Sequence, residues 1–213
     1  MNENKIAILT DSCSDVPRNL LEKFHIYEMP LSINYKDKSY RDRVDITPEE
    51  VYENLQNEIP HTSLPTIGEI HETIEKIIAD GYKQIIIPVI SSGLSGTCKA
   101  IEMVCEEFSN IKTAVIDTKN IALGSGFLSV YAAQLVDKQL NFDEIVKKIN
   151  DKIKGSHIYY SLQTLNYLVK GGRLGRVEGF IGSVLQNQLF RVIKTEFIIL
   201  WKRLVEGSKV LIS

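Results

Sequence analysis

Three short segments rich in serine and threonine sit where strand-like runs give way to helices. They are Thr10-Asp11-Ser12-Cys13-Ser14-Asp15, Thr62-Ser63-Leu64-Pro65-Thr66 and Ser91-Ser92-Gly93-Leu94-Ser95-Gly96-Thr97. Uncharged hydroxyls can hold an anion, cap a helix or, beside a base, act as nucleophiles. The third segment has the strongest chemistry. Gly93 and Gly96 let the backbone turn sharply and approach a ligand closely. The helix that follows offers free N–H groups and the positive end of its dipole, an anion site that needs no basic side chain. Ser95 and Thr97 add hydroxyl donors; Ser92, Ser95 or Thr97 can equally serve as nothing more than the helix cap.

Other chemistries fit less well. A hydrolase elbow reads G-x-S-x-G, whereas Gly93-Leu94-Ser95-Gly96-Thr97 brings the second glycine one place early. The spacing singles out none of His25, His61, His71 and His157 as a base. No phosphate-binding G-x-x-x-x-G-K-[ST] run occurs, and Gly124-Ser125-Gly126 falls inside a helical stretch, where glycines allow close packing. Cys13, Cys98 and Cys105 form no C-x-x-C pair and read as idle thiols, with no metal site and no disulfide framework. Lys170-Gly171-Gly172-Arg173 reads as a glycine-capped helix end or as a hinge toward a second lobe. Lys170, Arg173 and Arg176 read as a solvated basic face or a docking segment.

The elements that must position these segments alternate. Residues 5–10 read as a buried strand, followed by a helix starting near Pro17 and capped by Ser14 or Asp15. Residues 26–35 read as one strand, with a return strand at 39–41. Thr47-Pro48-Glu49-Glu50 and Thr66-Ile67-Gly68-Glu69 each carry a capping box, and Asn141 with Glu144 carries a third. The apolar run at 84–90 suits a sheet covered on both faces, while Pro88 argues for an edge, an irregularity or a strand end. Further helices are expected at 97–108, 121–136 and 142–154, with strands at 112–116 and 157–162. This β-α alternation implies an α/β fold with a mostly parallel sheet, in which ligands bind beyond the carboxyl ends of the strands. We expect an N-terminal lobe over 1–155 and a partial second lobe over 156–213.

Composition narrows the partners. With 25 basic and 27 acidic residues, the net charge of −2 gives no basic field for nucleic acid. No apolar run approaches the ~20 residues of a membrane span, and the N-terminus lacks the build of a signal peptide. A cytoplasmic location and no cofactor are expected.

In order, T-D-S-x-S-D, D-I-T-P-E-E, T-S-L-P-T, S-S-G-L-S-G-T and K-G-G-R-L-G span residues 5–185, and together they resemble the DegV family. The resemblance implies two α/β lobes enclosing a long-chain fatty acid. Its carboxylate would be held by Thr62 and Ser95; from the loops themselves we add Ser12, Ser14, Ser92, Gly93 and Thr97 as head-group or loop neighbours. It also implies a non-catalytic carrier that presents the carboxyl group to a separate fatty acid kinase subunit; transient contact with a membrane surface is a further expectation of ours. Physical chemistry agrees: some 14 buried methylenes at ~0.8 kcal/mol each contribute on the order of 11 kcal/mol before entropic costs. From about residue 186 the text departs from the family's pattern, and one hypothesis is a frameshift in that tail. The alternatives are an enzyme, hydrolase or phosphoryl-transferring, that uses the same Ser/Thr loops, and a truncated remnant with weak binding.

Overall fold

A computed structural model describes residues 4–162, 164, 166–173, 188–192 and 198–202. The chain begins with β1 (Ile6–Asp11), in which all six residues are buried, and a short 3-10 turn at Ser12–Ser14. Then come α1 (Arg18–Lys23), β2 (Ile26–Met29), β3 (Ser32–Asn34), β4 (Ser39–Arg41), α2 (Pro48–Asn54) and β5 (His61–Ser63). The helix–strand alternation continues through α3 (Ile67–Ala79), β6 (Gln84–Val89), α4 (Thr97–Cys105), β7 (Lys112–Asp117), α5 (Leu123–Asp137) and α6 (Phe142–Ile153). The remaining elements are β8 (Tyr159–Leu162), α7 (Asn166–Lys170), β9 (Gln188–Val192) and β10 (Ile198–Lys202).

The fold is α/β, as the alternation implies. Its centre is a parallel sheet of order β2-β1-β6-β7. Residues alternate across that sheet. Ile6, Ile8, Ile86 and Ile116 face α5 and α6, whereas Ala7, Leu9, Ile85 and Ile87 face α3 and α4. Covering both faces is why the strands read as unbroken apolar runs. Two antiparallel sheets accompany it, β4-β3-β5 and β10-β9-β8.

All three capping boxes form: Thr47 with Glu50, Thr66 with Glu69, and Asn141 with Glu144. Two local expectations are corrected, and the one for Pro88 resolves to the strand end among its three alternatives. Residues 26–35 are two strands in different sheets, because Pro30 has no N–H for a ladder and the Leu31 amide turns to the Ser12 hydroxyl at 3.1 Å. Neither Ser14 nor Asp15 caps α1, which starts after Pro17 without a side-chain cap. Asp15 instead has a left-handed backbone, φ 51°, and pairs with Arg43. Pro88 sits in an interior strand, near its end, where the β1–β6 ladder has already stopped at Ile8–Ile86.

Gly68 lies in the first turn of α3, where an added Cβ would meet nothing closer than Thr66 Oγ1 at 4.0 Å. Gly68→Ala is therefore expected to raise the unfolding free energy by a few tenths to about 1 kcal/mol, read by urea titration.

Candidate functional site

In the order β2-β1-β6-β7, chain connections run to opposite sides of β1 and β6, so the crevice between their carboxyl ends is a topological switch point. Three ladder pairs join these strands, from Ile6–Gln84 to Ile8–Ile86. Beyond them, side chains take over. Thr10 Oγ1 donates to the Pro88 carbonyl at 2.9 Å, and Asp11 Oδ2 accepts the Ile90 amide at 2.7 Å. On the far side of β6, Thr118 Oγ1 donates to the Val89 carbonyl at 2.7 Å.

Above this crevice lies a groove of about 500 Å³. Leu31, Val51, Leu55, Ile59, Ile90 and Leu94 supply apolar wall, and both Thr62 and Ser95 line it. Thr62 arrives on β5, opposite Ile33 of β3. Ser95 arrives on the loop after β6. The two loops touch: a Cβ on Gly96 would lie 3.6 Å from the Leu64 side chain. A second cavity of about 440 Å³ adjoins the first, sharing Cys13, Ile121, Tyr167 and Leu168, and is lined also by Asp15 and Asp42.

The other residues singled out in sequence are distributed differently. Ser12 lines the second cavity, although its hydroxyl is buried and already accepts the Leu31 amide. Thr97 is buried behind Ser95, with the two hydroxyls 2.8 Å apart and the Thr97 amide donating to Ser95 Oγ at 3.3 Å. Ser14 is buried with no partner for its hydroxyl among the described residues. Ser92 is exposed and turns to Asp117 and Lys119, and the Gly93 amide donates to Ser91 Oγ at 3.3 Å. The structure thus gathers Thr62 and Ser95 around one groove and Ser12 around its neighbour.

Three features of the groove were not legible in the loops themselves. Lys170 and Arg173 line it, so basic groups stand near the hydroxyls after all. They come from the end of α7, closed by a Schellman turn. The Arg173 amide donates to Leu168 O and the Gly172 amide to Val169 O, each at 3.0 Å, with Gly172 at φ 69°. Arg173 Nε also reaches the Leu94 carbonyl at 3.4 Å, linking α7 to the Ser95 loop. Arg176 lies outside the described residues. His61 shares the groove with Ser95, whose oxygen accepts the Thr97 amide and lies 2.8 Å from the Thr97 hydroxyl. Cys13 lines both cavities, and burial pushes its thiol well above the ordinary range, so it is no reactive thiolate. Cys98, on α4, is pushed up to about 12 by burial first and then by Glu102. Among the described residues, no group of three or more His, Cys, Asp or Glu could hold a metal ion, and no helix is long and apolar enough to cross a membrane.

Comparison with known proteins gives one consistent result. A family model described as "Uncharacterised protein, DegV family" matches residues 5–195. A DegV domain-containing protein of Clostridium acetobutylicum is 44% identical over 181 residues, 85% of this chain and 65% of the relative. A Staphylococcus aureus DegV domain-containing protein is 37% identical over 183 residues, again 65% of its own length. The chain therefore spans about 65% of the length of the curated relatives it matches. Among solved structures, DegV from Bacillus subtilis, a fatty-acid-binding protein, is similar with a TM-score of 0.84 and 28% identity, covering 96% of this chain and 72% of that one. A fatty-acid-binding DegV family protein of Thermus thermophilus gives 0.83 and 26%, covering 95% and 71%.

Proposed function

The chain belongs to the DegV family, and from that premise we propose that it binds one long-chain fatty acid non-covalently in the groove lined by Thr62 and Ser95. One observation carries this reading. Two hydroxyl-bearing loops, distant in sequence, meet at the sheet's switch point around an apolar groove of about 500 Å³, a size suited to a small-molecule ligand. The acyl tail is bound by burial of its methylenes, and the carboxylate is satisfied by the Thr62 and Ser95 hydroxyls. Ser12 and Thr97 support these loops from behind. Ser14, Ser92 and Gly93 shape the turns.

The chain acts as a carrier without catalysis of its own, in the cytoplasm. Single hydroxyl donors leave a carboxyl oxygen free for phosphoryl transfer, which suits presentation to a separate ATP-dependent kinase subunit. Residues 170–176 are the proposed docking segment for it. The exposed Tyr52 and Tyr167 side chains in the groove wall suit transient contact with a membrane surface during acyl exchange. The proposed division is an N-terminal lobe over 1–155 and a partial second lobe over 156–213.

Native mass spectrometry of the full chain is expected to show a mass excess of one fatty acid, and the double variant Thr62→Ala/Ser95→Ala is expected to lose it. Losing two hydrogen bonds to a charged group, worth about 1.5–3 kcal/mol each, weakens retention by at least tenfold. Undiminished retention in a folded double variant would remove both residues from the site.

A further inference from the structure

Asp11, the last residue of β1, is fully buried. Its Oδ2 holds the Ile90 amide, and its Oδ1 has no hydrogen-bond partner among the described residues. Ile90 lines the groove and leads directly into the loop that carries Ser95. Cys13, two residues beyond Asp11, lines the same groove. The carboxylate therefore stands immediately behind the groove's floor, tying one strand end to the other where the backbone ladder has stopped.

We propose that Asp11 is a positioning residue for the acyl head group: its hydrogen bond sets where Ile90 and the Ser95 loop stand, and its charge sets how well the groove accepts an anion. The inference rests on the carrier reading. Backbone amides offset only part of the cost of ionising so deeply buried a carboxylate, one of whose oxygens has no partner, and its charge repels a second carboxylate bound nearby. Protonation removes the charge and leaves Oδ2 to accept the Ile90 amide. The titratable groups that face it are Glu28 on β2 and Cys13 in the turn, and Cys13 in turn faces Asp15, Asp42 and Arg43. Burial first, with Glu28 adding to it, pushes the Asp11 acid up to about 7, against the backbone amides of Ile90, Cys13 and Ser14. Its charge state therefore changes near neutrality. By reciprocity, a bound anion favours protonated Asp11, and protonated Asp11 favours the anion.

The test measures laurate binding by the full chain at pH 6, 7 and 8, with methyl laurate as an uncharged probe, for wild type, Asp11→Asn and Asp11→Ala. Wild-type affinity for laurate is expected to fall several-fold toward pH 8, by at most about tenfold per pH unit for one linked proton. Asp11→Asn, which carries no titrating charge, is expected to give a flat laurate profile, and methyl laurate a flat profile with every chain. Asp11→Ala, which loses the acceptor, is expected to bind both probes at least several-fold more weakly at every pH. Unfolding of Asp11→Ala, seen by circular dichroism, leaves the Asp11→Asn profile to decide. A profile for Asp11→Asn that tracks wild type overturns the charge effect, and a folded Asp11→Ala chain that binds both probes like wild type overturns the positioning role; the carrier reading survives either result. Wild type that binds neither probe at any pH overturns the carrier reading, and this inference with it.

Discussion

Replacing Gly126 by alanine is expected to lower the unfolding free energy by about 1–3 kcal/mol. An added Cβ would stand 2.2 Å from the Ser14 carbonyl oxygen and 3.0 Å from Val16 Cγ2. The first neighbour is backbone, so it cannot swing away as a side chain would. Ser14 belongs to the turn that follows β1, and that turn is pinned a second time, where the Ala122 amide donates to the Cys13 carbonyl at 2.8 Å. The helix α5 and the turn must separate to admit the methyl, and Ser12 and Cys13 move with the turn. Alanine's better helix propensity, about 1 kcal/mol, opposes this but does not offset it. Urea titration followed by circular dichroism measures the change, with Gly68→Ala as the comparison of opposite sign. A Gly126→Ala chain as stable as the native one contradicts the packing described.

The stability of Asp11→Asn, taken relative to the native chain, is expected to rise as the pH climbs from 4 to 8. The folded acid lies at about 7, above its ordinary value of 3.8, with burial as the first cause. Folding thus favours the protonated form. Its contribution is full below the unfolded value and is lost as the pH rises through the folded one. Asparagine does not titrate, so the difference between the chains grows over that window, on the order of 4 kcal/mol at most. Other carboxylates pull the opposite way. Asp45 is held below the usual range by hydrogen bonds from Arg41, and Glu50 by the Thr47 amide and hydroxyl, so their contributions fade on acidification. They are common to both chains and cancel in the difference. Denaturant unfolding at pH 4.5, 6 and 7.5 reads the slope, and a difference independent of pH is incompatible with a buried, titrating Asp11.

Features written in neighbouring residues were legible before any coordinates. The Thr47, Thr66 and Asn141 capping boxes each lie within four consecutive residues, and each forms. The apolar runs in β1 and β6 needed only the rule that doubly covered strands do not alternate. Pairing across the chain was less accessible. β5 is three exposed residues long, and it is a strand because Ile33 of β3 lies opposite Thr62, a partner 29 positions away. No local pattern in His61-Thr62-Ser63 announces that. The break at Pro30 was visible as a proline, but its meaning depends on Ser12 taking the Leu31 amide. In the site, Thr62 and Ser95 stood out by residue type. Cys13, Lys170 and Arg173 reach the groove through folding alone, and Asp11, although part of a conspicuous motif, acquires its role only once Ile90 is seen against it.

Above Ile8 and Ile86 the two central strands are laced by the side chains of Thr10 and Asp11 instead of being zipped by their backbones. Such lacing makes the gape of the mouth a matter of two side chains. Below that point every rung of the sheet is backbone, so an exchange at position 10 or 11 falls on the lacing and leaves the β1–β6 ladder from Ile6 to Ile8 in place.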